Sequence, residues 1–550
     1  MTLESPFTSR LGTNYCARDE EVREIQRLIQ EPLSHLKRLD EQIAELQKSI
    51  SSLTEEHNSV SAYVYAHRAL LSPIRRLDAD VLQEIFVACL PTHRNCVMTA
   101  REAPVLLGRI CSSWRALSLS TPRLWASLHI AEPLTQRSWG SQIPAHEEVR
   151  AELHARRIEI SQTWLGRSGQ LPLSLSLECG LSDEEVPAFR LPTALQALIP
   201  FATRWQHVAL AVSSCTLDLL FNLTEADVPL LRTLEITQLF LSQDVEWQSF
   251  ALLRGPRITS FALTRAGSNT YPLALPLQWE NLTSFSLIGR TWSDMHPLTT
   301  TIALEILDRC PRLQICNLLL KDDTVPAVSD RAVLELPHLL SLDIICTAGL
   351  PIFTPGLIFG SLSLPELRRL TFRDSGNFRG DLSFPFLSVS PRLECLEIDA
   401  QIFGRESVVE FSRALPATIQ QLHFTGYDSV AMRGIPFFDD ALAVLTPSPT
   451  QPNVGCPILR ELSITCSANL SDDALLRFIT ARMAARPAAL RRVEIQFNRE
   501  KQLEMQPDLQ PFVDAGLEVF TTYIERPHTS EFSAWRGLAD GPNADMNSLF

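Results

Sequence analysis

A short apolar motif recurs along most of the chain. It consists of an apolar residue, two further residues, a second apolar residue, one residue and a third apolar residue. The alternation at its end predicts a short β-strand with every second side chain buried. Successive copies start 24 to 31 residues apart, except for one interval of 40 residues. The copies span residues 205–210, 231–236, 258–263, 282–287, 313–318, 339–344, 367–372, 393–398, 419–424, 459–464 and 490–495.

Helix-like segments separate these predicted strands, so residues 126–525 are predicted to form an α/β solenoid with parallel strands. Trp125, Leu128 and Ile130 form an early, separate copy. The sequence Cys456-Pro457-x-Leu459-x-x-Leu462-x-Ile464 resembles cysteine-containing leucine-rich repeats, and a period in the twenties is typical of that repeat class. An α/β domain whose parallel strands share a pattern by chance is the alternative.

The N-terminal region has a different period. Apolar residues at alternating steps of three and four predict a coiled-coil helix over residues 21–70, with a pattern that is unbroken from Leu36 to Leu53. Within this region Pro32 is expected to start the main helix. The pattern favours a parallel or antiparallel coiled coil that makes a homodimer through residues 22–71. A helix folded back on its own chain is the alternative. A solvated helix is predicted over residues 147–164, and disordered tails over residues 1–20 and 526–550.

Two short apolar helices are predicted within residues 71–125. The first lies between Asp78 or Asp80 and Pro91, and the second starts near Pro104. Their apolar stripes are too wide to be buried on each other, which implies either a partner or packing on the chain itself. The candidate partner-binding residues are Leu77, Val81, Leu82, Ile85, Phe86, Ile110, Cys111 and Trp114.

These eight residues, with Asp80, resemble the F-box pattern, and the end of the stretch at residues 120–125 is similar to F-box-like proteins of fungi. Asp78 in place of proline, Asp80 in place of glutamate and a longer loop at residues 91–103 depart from the pattern. The resemblance implies that the eight residues bind the Skp-type adaptor of an SCF cullin–RING ubiquitin ligase, while the repeats hold an unknown protein substrate for ubiquitin-dependent degradation. A non-ligase interaction scaffold built on the leucine-rich repeats is the alternative.

Composition narrows the class of protein. The chain has 550 residues, 45% of them hydrophobic, and a net charge of −14. This composition argues against a disordered chain, and the acidic balance argues against nucleic acid and anionic membrane as partners. The twelve cysteines are scattered, which predicts reduced, buried thiols. We find no secretory signal or long apolar run in the sequence, so the expected location is the cytoplasm or nucleus.

Candidate chemistry is sparse. Phosphate-binding, dinucleotide-binding and hydrolase motifs are missing from the sequence, and Asp439-Asp440 and Asp472-Asp473 are explained as acids that open helices. We therefore expect no enzyme activity and no catalytic, cofactor-binding or metal-binding residue. On the outward strand positions, a cluster of both charge signs is the predicted substrate-binding site: Arg369, Arg373, Glu397 and Asp399.

Overall fold

The structure is a computed structural model. It describes residues 5–131, 145–178, 194–238, 245–266, 271–289, 298–320, 333–346, 355–374, 387, 390–403, 405–426, 439–448, 455–468, 470–485, 488–497 and 499–523. The chain divides into two compact units, Met1–Ile85 and Phe86–Phe550. The predicted C-terminal tail and most of the insertion between the strands at residues 419–424 and 459–464 lie outside the described residues.

The described α-helices follow in chain order. They are α1 Asp19–Leu70, α2 Ala79–Ala88, α3 Leu107–Ile110, α4 Ser112–Leu119, α5 Ala145–Arg167, α6 Ala194–Leu198, α7 Ser214–Leu217, α8 Thr300–Asp308, α9 Pro355–Gly360, α10 Arg405–Ala414, α11 Asp439–Val444, α12 Asp472–Ala484 and α13 Gln506–Asp514.

The described strands all lie in the second unit. They are β1 Ser127–Ala131, β2 Leu173–Glu178, β3 Trp205–Val212, β4 Thr233–Gln238, β5 Ser260–Ala266, β6 Ser284–Gly289, β7 Ile315–Leu320, β8 Leu334–Glu335, β9 Ser341–Cys346, β10 Leu362–Ser363, β11 Arg369–Asp374, β12 Cys395–Asp399, β13 Gln421–Thr425, β14 Glu461–Ala468, β15 Arg492–Phe497 and β16 Glu518–Thr522.

The first unit is dominated by α1, which has 52 residues and runs through Pro32 without interruption. The prediction that Pro32 starts the main helix is therefore wrong. The helix begins earlier because acidic residues occupy its first turn, where the helix dipole favours them. Glu21 accepts hydrogen bonds from the backbone N–H of Arg18 (2.9 Å) and from Arg10 (2.6 Å). These bonds tie residues 5–18, predicted as part of a loose tail, to the start of α1.

The second unit contains a parallel sheet of fourteen strands whose order follows the chain from β1 to β16, while β8 and β10 pair separately. The eleven predicted strands are all in this sheet, which confirms the α/β class and the parallel arrangement. The early copy at Trp125 supplies β1 and belongs to the same sheet, so it is not separate. The sequence pattern did not predict β2 or β16.

Two apolar residues in each strand form continuous columns across the sheet, because the same motif positions pair from strand to strand. One column runs from Leu234 to Val493, and the other from Ile236 to Ile495. The side chains in both columns are buried. Helices cover this apolar core: α8 packs on β7, and α10 to α13 contact one another in sequence.

Helix α5 confirms the helix predicted over residues 147–164, but it is not wholly solvated. Trp164 is buried against Trp125, with 4.8 Å between the ring centroids, and its indole N–H donates to the carbonyl of Ser127 (3.2 Å). The C-terminal end of α5 is therefore part of the core beside β1. The expectation of buried cysteines also holds only in part, because Cys16 and Cys89 are exposed.

Candidate functional site

In the first unit, three apolar residues of the F-box-like stretch, which comprises residues 71–125, are exposed to solvent. Leu77, Val81 and Ile85 are 38, 47 and 37% exposed, whereas Leu82 is buried. Helix α2 starts directly after Asp78, whose carbonyl accepts the N–H of Leu82 (3.0 Å). Val81 and Ile85 are four residues apart and thus share one face of α2. Neighbouring exposed apolar residues on a short helix are a feature of protein-binding surfaces.

In the second unit, Phe86 is completely buried and packs on Trp114 with 4.8 Å between ring centroids. The sequence predicts Phe86 and Leu82 as docking contacts, but buried side chains do not reach a partner without rearrangement. Phe86 packs inside the second unit, and Leu82 is shielded from solvent in the first.

The second predicted helix is broken at Cys111. Its backbone is extended (φ −156°, ψ 170°), and its Sγ accepts the N–H of Trp114 (3.4 Å), so Cys111 caps α4. The prediction of one continuous helix from Pro104 is therefore wrong. Ile110 and Cys111 lie at the break and are exposed, Ile110 by 56%. Two of the predicted docking residues are therefore exposed to solvent where the helix is interrupted.

The long loop between α2 and α3 has a structural role. Val97 pairs in parallel with His129 of β1, the first strand of the sheet. The side chain of Asn95 accepts from Ser127 (2.8 Å) and donates to Ser176 (3.0 Å). Because an open sheet edge can pair with another chain, a loop that covers part of it lowers that risk. The loop is longer than in the F-box pattern, and the additional residues contact β1 and β2 at the edge of the sheet.

The strand positions between the two buried columns form a continuous row in the structure, because each residue pairs with the next. It consists of Glu235, Ala262, Ser286, Asn317, Asp343, Thr371, Glu397, His423, Ser463 and Glu494. The small residues Ser286, Thr371 and Ser463 are nevertheless buried. The charged residues Asp343, Glu397 and Glu494 of the same row are partly exposed.

Arg373 is the centre of the predicted charge cluster. Its Nε lies 3.1 Å from Oε1 of Glu397, and one of its terminal nitrogens lies 3.9 Å from Oδ2 of Asp343. Burial raises the pKa of Asp343, while the charge of Arg373 opposes that rise. Asp343, Arg373 and Glu397 lie on β9, β11 and β12, and these three strands are neighbours in the sheet. The structure thus brings Arg373 and Glu397 together as predicted.

The other two members of the predicted cluster differ from each other. Arg369, at the start of β11, is exposed. Asp399 is only 2% exposed, so the prediction that its side chain points outwards is wrong. The strand ends at Asp399 and the chain turns at once into residues 400–402, so the alternation of sides no longer applies there.

A second charge cluster at the last strands was missed by sequence reasoning. Arg492 lies 3.4 Å from Glu461, 2.9 Å from Glu494 and 3.2 Å from Glu518, and its guanidinium stacks over Phe520 at 4.6 Å. Glu518 and Phe520 belong to β16, which lacks the apolar motif and has no buried residue. The run of β-branched and aromatic residues from Val519 to Thr522 was the available signal.

Within the residues that the structure describes, no His, Cys, Asp or Glu cluster is arranged to hold a metal ion. Over the same residues, none of the helices combines the length and the apolar character that a membrane span requires. The chain matches no family model, and no curated protein is found to be similar to it.

Proposed function

We propose that the chain is the substrate-recognition adaptor of an SCF-type cullin–RING ubiquitin ligase. The observation that carries this proposal is the exposure of Val81, Ile85 and Ile110, three apolar residues at positions that match the F-box pattern. Helix α8, also short and apolar, buries most of its apolar residues in the core. Exposed apolar residues of this kind are explained if a partner covers them.

Under this proposal the chain performs no bond chemistry itself. The F-box-like stretch binds the Skp-type adaptor, which connects to the cullin, and the sheet binds the target protein. Rate enhancement comes from proximity, because the bound target is held close to a ubiquitin carrier. The ligase would act in the cytoplasm or nucleus.

We assign the repeats to the leucine-rich class within the same proposal. Consecutive parallel strands, short helical segments between most of them and a period in the twenties support this assignment. In such an array each strand adds one outward-facing residue to a continuous row. A row of this length is suited to binding an extended surface of a target protein.

Replacing Val81 or Ile110 with glutamate is expected to weaken binding of the Skp-type adaptor by about tenfold or more, a change of about 1.4 kcal/mol. A carboxylate in a desolvated interface centre has no partner, and its burial is unfavourable. Calorimetry with the purified adaptor measures the effect, and co-purification of the cullin shows whether the whole ligase assembles.

Ile160→Glu is the matched control, because Ile160 is an isoleucine on α5 with a similar exposed fraction, 43%. It should bind the adaptor as the wild type does. A folded wild-type chain that fails to bind the adaptor rejects the ligase proposal and favours the non-ligase scaffold. Normal binding by both the Val81 and Ile110 variants would place the docking surface elsewhere.

Arg369→Glu is expected to slow capture of the target by about threefold or more at low salt, with a smaller effect at moderate salt. Exposed charges steer association, and salt screens them. Arg369 is a better position than Arg373, whose reversal would place a third carboxylate beside Asp343 and Glu397. Crosslinking in cell extract followed by mass spectrometry identifies the captured proteins, and their yields are compared at the two salt concentrations.

Arg309→Glu provides the control, since Arg309 is an exposed arginine that follows α8 and pairs with Glu305 on that helix (2.8 Å). Both variants should bind the Skp-type adaptor normally. Equal capture and equal salt dependence in the wild type and the Arg369 variant would place target binding on another surface, with the insertion between Phe424 and Leu459 as the next region to test.

A further inference from the structure

Helix α1 leaves a long apolar seam in water. The seam side chains are 39 to 63% exposed, and they are Leu36, Leu39, Ile43, Leu46, Ile50, Leu53, Val60 and Val64. About half of the large apolar residues that are exposed in the described part of the chain lie between residues 22 and 71. A helix of 52 residues is about 78 Å long, and most helices of proteins owe their stability to packing of an apolar face. The seam therefore needs a partner of similar length.

The order of residue types along the seam fits a two-stranded coiled coil. If Leu36 is placed at heptad position a, β-branched residues occupy the following a positions at Ile43, Ile50 and Val64, and leucines occupy d at Leu39, Leu46 and Leu53. β-branched residues at a with leucine at d favour two strands in parallel coiled coils.

The area of the seam is sufficient for a stable dimer. A buried leucine, isoleucine or valine side chain removes roughly 60–120 Å² from water. Eight such residues from each of two chains would bury on the order of 1,000–1,900 Å². Stable protein interfaces bury about 1,200–2,000 Å². A second copy of α1 thus supplies an interface of the required size.

His57 distinguishes the parallel from the antiparallel arrangement. It occupies an a position within the seam. In a parallel, in-register pair it meets the partner's His57, and two neutral imidazoles can share a hydrogen bond. In the antiparallel registers that keep Leu36 to Leu53 paired, it would face Pro32, Leu39 or Leu46. Because a buried polar group without a partner is unfavourable, and a polar a position specifies register, His57 favours the parallel pair.

The flanking positions are compatible with the same register. In a parallel dimer, position g of one helix lies beside the following e position of the other. His35 would lie beside the partner's Asp40, Gln42 beside the partner's Gln47, and Ser49 beside the partner's Thr54. None of these pairs joins like charges, so no repulsion opposes the arrangement.

We propose that α1 pairs with α1 of a second copy of this chain as a parallel, in-register, two-stranded coiled coil. The dimer carries two F-box-like stretches and two outward sheet faces. The proposal does not depend on the ligase assignment, because it uses only the residues of α1.

Single cysteines placed on the seam of the full chain test the orientation. In Leu39→Cys and in Val60→Cys, each new thiol faces its own copy only if the helices are parallel and in register. Mild oxidation is expected to give 39–39 and 60–60 disulfides at more than tenfold the yield of a 51–51 disulfide in the control Ser51→Cys, whose side chain is at the outward position b. Peptide mass spectrometry of the non-reduced protein distinguishes these bonds from those of the natural cysteines.

Stoichiometry is tested separately by sedimentation of the full chain at micromolar concentration. The wild type is expected to have the mass of two chains, and the variant with Ile43→Lys and Leu46→Lys the mass of one, since buried charges oppose the seam. The control with Ser51→Lys and Ser52→Lys adds the same charge at outward positions and should stay dimeric. A monomeric wild type, or a 39–39 or 60–60 yield no higher than that of the Ser51 control, overturns the proposal.

Discussion

Asp472→Ala is expected to lower the free energy of unfolding of the C-terminal repeats by about 3 kcal/mol or more, because it leaves a largely buried guanidinium without its carboxylate. Asp472 is almost completely buried. Its carboxylate accepts hydrogen bonds from Arg499 (2.6 Å), from the backbone N–H groups of Gln502 (2.8 Å) and Leu503 (2.7 Å), and from the hydroxyl of Tyr523 (3.1 Å). Denaturant unfolding and hydrogen exchange of β15 and β16 measure the loss.

The next residue provides the control. Asp473 is 70% exposed and pairs with Arg477 on the same helix (3.0 Å). Exposed pairs of this spacing contribute only about 0.3–0.5 kcal/mol, so Asp473→Ala should be almost neutral. Equal losses in the two variants would show that Asp472 acts only through the helix start, where both acids lie, and would contradict the role of the buried network.

Acid should remove the contribution of Asp472. Burial raises the pKa of its carboxyl, but the hydrogen bonds from Arg499 and from the backbone of Leu503 and Gln502 outweigh burial and hold the pKa below its usual value. A folded pKa below the unfolded one, which is about 4, gives a stabilisation that is complete above that value and is lost as the pH falls through the folded pKa. The stability difference between wild type and Asp472→Ala is thus expected to be constant from about pH 5 to 8 and to shrink in acid.

The strands were predictable because their signal is local. Each copy of the motif places two alternate residues in the core, as at Leu234 and Ile236, and parallel pairing repeats that placement in the next strand. Strand β2 was missed although Leu173, Leu175 and Leu177 alternate, because it lacks the first, more distant apolar residue of the motif. Strand β16 was missed because it is a solvated edge strand.

The helix termini and the burial of single polar residues depend on information that a local pattern does not carry. Pro32 is compatible with a helix that has already started, and the acids before it decide where the start lies. The break at Cys111 depends on a hydrogen bond from Trp114 to its Sγ. Asp399 is buried at the end of β12, where the strand passes directly into a turn.

A charged pair was predictable from the sequence only where both of its residues lie in the repeated strand motif, because the motif shows which residues are neighbours in the sheet. Arg373 and Glu397 lie on neighbouring predicted strands, so the sequence brought them together. Asp472 and Arg499 are joined across a loop, and the sequence interpretation gave Asp472 only the role of a helix-opening acid. Ser471 caps α12 instead, with its Oγ accepting the N–H of Ala474 (3.1 Å).

Arg482→Met is expected to lower the stability of the neighbouring repeats by about 3 kcal/mol, because it leaves three backbone carbonyls without their donor and each unsatisfied buried group costs about 1–3 kcal/mol. The buried guanidinium donates to the carbonyls of Leu445 (2.9 Å), Cys456 (2.7 Å) and Gly455 (2.8 Å). Burial lowers the pKa of Arg482 to about 10, so it stays charged at neutral pH. Methionine preserves much of the apolar volume while removing the donors.

Arg482→Lys separates charge from geometry. A lysine retains the positive charge, but its ammonium does not reproduce the planar fork that reaches three carbonyls, so an intermediate loss is expected. Arg477→Met is the matched control on the same helix, because Arg477 is exposed and its pair with Asp473 contributes little. Hydrogen exchange should report the loss first at β14 and at the backbone of Gly455 and Cys456. Unchanged protection there in Arg482→Met would show that these carbonyls find other donors, and that the arginine does not hold Leu445 and residues 455–456 of the insertion together.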